Sequence, residues 1–150
     1  MQLSPSKVNW FLFFKLPAAY WCGVRLVQLD HHESKASVKY RWFNQNPFRS
    51  MYFAVQMMAA ELTTGALALS AIRESGKSVS MLVASSQSVY HKKITGRVTF
   101  SCRQGQLVRE TLAAAIASGA PQTVRLHAIG RNESNEVVSE MTFEWTLKVR

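Results

Sequence analysis

The sequence predicts an α+β fold in which a curved antiparallel sheet wraps one long apolar helix. Three observations carry that prediction. Several segments of the 150-residue chain alternate apolar and polar residues with a period of two, the mark of strands with one wet face. One stretch, Met51 to Ile72, is instead apolar all round, with Glu61 as its single charge. The connections are short, which favours antiparallel neighbours. A chain of this length forms one domain, residues 1–150, and 47% apolar residues supply its core.

The elements follow in order. Val8 to Phe14 reads as an amphipathic N-terminal helix, with Pro5 near its first turn and Pro17 near its end. Lys15 interrupts the apolar run and no typical small-residue cleavage site follows, so a secretory leader is not expected. Val24 to Leu29 is a strand, and the Asp30-His31-His32 turn returns it into a second. In that second strand Ala36, Val38, Tyr40 and Trp42 face one way and Lys35, Ser37, Lys39 and Arg41 the other. Asn44-Gln45-Asn46-Pro47 breaks the alternation and leads into the helix. After Ser75-Gly76-Lys77, strands are expected over Val79–Tyr90 and Ile94–Cys102. Gly105 and Gly119 bracket an Ala-rich helix, Gln106 to Ser118, and strands Thr123–Arg131 and Val137–Val149 close the chain.

Composition narrows the chemistry. Lys and Arg number 18 against 9 Asp and Glu, a formal net charge of +9. Eight of the carboxylates sit beside turns or in charged alternation, and Glu61 alone lies within an apolar stretch. An acidic disordered chain, a collagen repeat and a disulfide scaffold are excluded. Cys22 and Cys102 read as buried free thiols of a reducing, cytoplasmic compartment. The four histidines lack metal-ligand spacing, so no metal site is expected. The Met51–Ile72 stretch is long enough to span a bilayer, but a central Glu is costly in lipid, and a buried core helix explains the same pattern. The basic residues are scattered and the aromatics lie on apolar faces, which disfavours a nucleic-acid groove.

This arrangement resembles the hotdog fold of acyl-CoA thioesterases and acyl-thioester dehydratases. The residues that carry the resemblance are Asn46-Pro47-Phe48-Arg49-Ser50-Met51-Tyr52-Phe53-Ala54 and Glu61. Many hotdog thioesterases carry an Asn, a His-Gly-Gly six residues on, and an Asp or Glu nine residues beyond that His. Here Asn46, Tyr52 and Glu61 keep the spacing, and Thr63-Thr64-Gly65-Ala66 resembles the close-packed central helix of the family. The helical segment is similar to a little-characterised bacterial branch of thioesterase-like proteins. Tyr52 stands in place of the His, and Phe53-Ala54 in place of the Gly pair.

The resemblance implies hydrolysis of an acyl-CoA or related acyl thioester at a site shared between two subunits of a homodimer or dimer of dimers. It implies that Glu61 activates water, that the backbone N–H groups near Tyr52 and Phe53 polarise the carbonyl, and that Asn46 assists positioning. Coenzyme A enters as part of the substrate, with no separate cofactor, and Lys92, Lys93 and Arg97 are the candidates for its phosphates. The side chain of Phe53 crowds an approach that Gly leaves open, which motivates the alternative of a hotdog protein that binds acyl chains without turnover.

Each candidate also has a plainer reading. Glu61 is a general base whose pKa burial raises, or a buried Glu bonded to Thr64 or a nearby backbone group. Asn46 orients water or carbonyl, or forms an ordinary helix-entry turn. Tyr52 donates its O–H or packs as an aromatic anchor, the latter favoured. Lys92, Lys93 and Arg97 meet phosphate or belong to a solvated basic face. Independently of the family, Tyr52 and Glu61 stand nine positions apart and project about 180° apart on one helix. Two antiparallel copies of that helix bring Glu61 of one chain beside Asn46 and Tyr52 of the other.

Overall fold

The computed structural model describes residues 3–150. Helices α1 (Pro5–Lys15) and α2 (Pro17–Trp21) precede strands β1 (Arg25–Leu29) and β2 (Ser34–Lys39). A single 3-10 turn, Trp42–Asn44, leads to the long helix α3 (Phe53–Ser75). Strands β3 (Val79–Tyr90) and β4 (Arg97–Cys102), helix α4 (Gly105–Ser118), and strands β5 (Gln122–Asn132) and β6 (Val137–Val149) complete the chain. The six strands form one antiparallel sheet in the order β1-β2-β4-β5-β6-β3. The helix lies against β1, β2, β4, β5 and β6, and α4 packs beside it. This is the curved sheet around one long helix that the sequence pattern anticipates, the hotdog arrangement that the resemblance implies.

Alternation explains why the sheet wraps the helix. Val98, Phe100 and Cys102 of β4 are buried, as are Val124, Leu126 and Ala128 of β5 and Met141, Phe143, Trp145 and Leu147 of β6. Each large apolar side chain so placed contributes about 1.5–3 kcal/mol. On α3 the buried residues include five alanines (Ala59, Ala60, Ala66, Ala68, Ala71) beside Val55, Leu62, Leu67 and Ile72, and the small ones suit a close approach of the sheet. The helix is long and apolar enough to cross a bilayer by length and composition, yet 72% of its most apolar window is buried inside the fold. Gly76, in the left-handed region at φ 66°, ends it.

Some boundaries differ from the sequence expectation, for tertiary reasons. The second strand stops at Lys39 rather than reaching Trp42, which is exposed. Asn44 causes the break: its Oδ1 accepts from Arg41 N–H at 2.9 Å, and its Nδ2 donates to Cys22 O and Lys39 O. Ile94 lies outside β4, because its carbonyl accepts from Met51 N–H at 2.8 Å and anchors the approach to α3. Pro17 starts a second short helix instead of closing the first, since its fixed φ suits a first helical position. Cys102 is buried as expected, and burial pushes its thiol up to about 11; Cys22 is half-buried.

The two sheet edges are unlike. On the β1 edge, the Asn9 side chain of α1 donates to Leu26 O and accepts from Leu26 N–H, both at 2.9 Å, as a neighbouring strand would. On the other edge, β3 pairs with β6 alone among the described residues. That strand runs twelve residues with no charge and no proline. Open edges of this kind are templates for pairing unless something blunts them.

Candidate active site

The approach to α3 is built by two asparagines. Asn44 is buried, and its carbonyl accepts from Tyr52 N–H at 2.9 Å. Asn46 closes the next loop: its Oδ1 accepts from the N–H groups of Phe48 (2.9 Å) and Ser50 (3.2 Å), and its Nδ2 donates to Ser50 Oγ at 3.0 Å. Both polar atoms of Asn46 are therefore engaged in holding the turn. Arg49, at φ 57°, completes it in the left-handed region.

This loop delivers the chain to the start of α3 with Tyr52 in the N-cap position, extended at φ −61° and ψ 134°. No side chain caps that start, and the Phe53 N–H has no acceptor among the described residues. An unpaired N–H at the positive end of a 23-residue helix suits a developing oxyanion. Tyr52 is exposed, with its ring 4.9 Å edge-on to Phe53, and Phe53 in turn meets Tyr90 at 6.1 Å.

A cleft of about 320 Å³ opens beside this start and brings together Asn46, Phe53, Lys92 and Lys93. It also contains a residue the sequence reading passed over. Gln56 lines the cleft, is only 5% exposed, and its Oε1 has no hydrogen-bond partner among the described residues. A buried amide oxygen without a donor is costly, so this atom is an acceptor waiting for a ligand or a water. The signal available in the sequence was one amide on an otherwise apolar helix face.

Glu61 does not line that cleft. It sits about 12 Å further along α3 than Phe53 and about 140° around the helix from Gln56. Its carboxylate rests near Gly65 and the Trp145 ring, and accepts no hydrogen bond and forms no ion pair among the described residues. Burial pushes its pKa above the ordinary Glu range. Thr64 is not its partner: the Thr64 hydroxyl donates to the Glu61 backbone carbonyl at 3.0 Å while accepting from Trp145 Nε1 at 3.0 Å.

The basic candidates separate. Lys92 is paired with Glu136, whose carboxyl that ammonium holds below the usual range. Lys93 has no acidic partner among the described residues, and its Nζ lies 5.7 Å from the Phe48 ring centre. Arg97 instead donates to Ser37 Oγ at 3.1 Å and lines a different cleft of about 480 Å³, with Lys35, Arg103 and Arg131. No cluster of three or more His, Cys, Asp or Glu stands ready for a metal among the described residues.

A family model described as "Domain of unknown function (DUF4442)" matches residues 6–147. No curated protein matches the chain. Among solved structures, a Pseudomonas aeruginosa protein of unknown function, described as a probable thioesterase, is 21% identical. Each of these two chains covers 99% of the other, with a TM-score of 0.83. A Chlorobaculum tepidum protein of unknown function is 13% identical over 99% of both chains, with a TM-score of 0.84. A Haemophilus influenzae thioesterase is 13% identical over 99% of this chain and 93% of its own, with a TM-score of 0.72. At these identities the likeness establishes the shared fold.

Proposed function

The chain belongs to the DUF4442 family, and from that premise we propose that it is a cytoplasmic thioester hydrolase acting on acyl-CoA or a related acyl thioester. The observation that carries this reading is the pairing of chemistries on α3: an unpaired, half-buried Glu61 and an uncapped Phe53 N–H at a cleft. The fold shared with the Haemophilus influenzae thioesterase supports the reaction class.

In this mechanism the thioester carbonyl oxygen accepts from Phe53 N–H. Glu61 takes a proton from water as the water oxygen attacks the carbonyl carbon, and the new negative charge rests on the oxygen held at the helix start. Collapse breaks the C–S bond, and the Glu61 carboxylic acid returns its proton to the thiolate. The products are a carboxylic acid and the thiol of coenzyme A, which enters as part of the substrate. Asn46 acts by fixing the loop that presents Phe53, Gln56 Oε1 accepts from the ligand or the attacking water, and Lys93 meets phosphate.

Glu61 and the Phe53 cleft lie on different sides of one helix, so the reaction requires two chains. A homodimer joined through the open, uncharged β3 edge supplies the second. The second reading, acyl-thioester binding without turnover, is favoured by the Phe53 side chain standing at the cleft between Tyr52 and Tyr90. Hydrolysis and calorimetric binding across short, medium, long and aromatic acyl-CoA esters decide between them. Turnover that falls in Glu61→Gln supports the hydrolase, whereas binding with no hydrolysis of any ester overturns it.

A further inference from the structure

We propose that α1 and α2 form a docking surface for an anionic lipid bilayer, a role beyond the thioester chemistry and independent of it. Five aromatic rings run unbroken across these helices. Trp10 stacks on Phe14 at 5.8 Å, Phe14 meets Phe13 at 4.9 Å, Phe13 meets Tyr20 at 5.0 Å, and Tyr20 meets Trp21 at 6.0 Å. Three of them face outward, Trp10 and Phe14 each 65% exposed and Trp21 59% exposed, while Phe13 is 39% exposed and Tyr20 packs partly against the core and anchors the patch. The core side of α1 is served by Val8 and Leu12. Large exposed apolar patches mark contact surfaces, and Trp and Tyr favour the boundary between headgroups and acyl chains.

Charge selects the partner. No Asp or Glu occurs before Asp30, and none lies between Glu33 and Glu61. Lys7 falls within about 60° of Trp10 and Phe14 around α1, on the same exposed face. Lys15 follows on that helix, and the Arg25 guanidinium lies 3.7 Å from the Tyr20 ring centre. Arg41 reaches across Gly23, the residue that follows α2 and Cys22, and exposed Trp42 is next in sequence. None of these four cations has an acidic partner among the described residues. Basic groups around an aromatic face complement anionic headgroups. A rim that is all basic and free of acid is poorly matched to a second copy of this chain, whose formal net charge is +9. The surface also sits at the β1 end of the sheet, the opposite end from β3, so pairing through β3 leaves it open.

Co-sedimentation of the full chain with vesicles tests the proposal. Vesicles of phosphatidylcholine plus phosphatidylglycerol should pull the chain down, with a blue shift of tryptophan emission, and phosphatidylcholine alone should do so at least tenfold more weakly. Added salt should weaken the binding. Trp10→Ser/Phe14→Ser/Trp21→Ser should lose at least tenfold, and Lys7→Glu/Lys15→Glu, which leaves every ring in place, should lose it as well. Hydrolysis of a short, soluble acyl-CoA should be the same in all variants. A chain that stays in solution with both vesicle types overturns the proposal, as does equal binding by the variants. A triple variant that only lowers the oligomeric mass also overturns it and assigns the face to contact between copies.

Discussion

Glu61 Oε1 lies 3.4 Å from the point where a Cβ on Gly65 would stand, and the Trp145 ring lies 3.3 Å from the same point. Glycine one turn along the helix thus leaves the room in which the carboxylate rests. Replacement by Ala in a helix interior ordinarily stabilises by about 1 kcal/mol. Here the added methyl makes the Trp145 indole give by a few tenths of an ångström and stands in contact with the carboxylate. Gly65→Ala is expected to keep or raise the melting temperature while lowering kcat, a split that thermal unfolding and steady-state kinetics on one preparation will show. A fall in stability together with unchanged kcat would count against the carboxylate's placement.

Burial without a partner sets the pH behaviour of Glu61. Its folded pKa stands above its unfolded value, so the folded state holds the proton more tightly. The resulting penalty is absent below the unfolded pKa of about 4.3 and grows as pH rises through the folded pKa. Glu61→Gln should therefore be more stable than the parent at neutral pH and equal to it in acid. Its turnover should fall by about 10²–10⁴, and the kcat/KM of the parent should rise with pH through a pKa above the ordinary Glu range. Denaturant midpoints and a pH-rate profile measure both.

Gln56 carries an acceptor with no donor among the described residues, inside the cleft. Gln56→Leu removes that atom at similar volume, and the relief of an unsatisfied buried group is worth about 1–3 kcal/mol. The variant should unfold later yet bind and turn over acyl-CoA about tenfold less well, because the ligand or water loses its acceptor. Calorimetry with a non-hydrolysable acyl-CoA separates this from a purely structural role, which would leave affinity unchanged.

The β3 edge makes the proposed dimer testable by added charge. Leu82 is 66% exposed and Val89 47% exposed on a strand without a single charge. Leu82→Lys/Val89→Lys puts ammonium groups where a second β3 would pair, a common means of keeping edges apart. Sedimentation should show a folded monomer, and turnover should be lost with the dimer. A monomer of full activity would place the whole site within one chain.

Much of this was legible in the sequence. Period-two alternation located the strands, and a carboxylate stranded among apolar residues singled out Glu61. What escaped depends on contacts far apart in the chain. Trp42 leaves its strand because Asn44 bonds to Cys22 O, a partner 22 residues away. Arg97 follows Lys92 and Lys93 closely, yet it opens β4 beside buried Val98 and so faces a different cleft. Gln56 read as one amide on an apolar helix, and only the packed fold reveals that its oxygen lacks a donor. Asn46 kept the spacing of the resemblance, and the structure gives its side chain to the turn.

The central claim, that one chain supplies the carboxylate and another the oxyanion donor, is tested most directly by mixing two inactive variants. Phe53→Pro removes the donor N–H at the first helical position, where Pro is well tolerated, and the extended Tyr52 before it suits a following Pro. Phe53→Ala, which keeps the N–H, serves as the control. Glu61→Gln supplies the complementary defect. If the site is shared, randomly exchanged subunits form heterodimers with one intact site each, and the equal mixture should regain about a quarter of the parent activity. An equal mixture that remains inactive after subunit exchange would contradict the shared site.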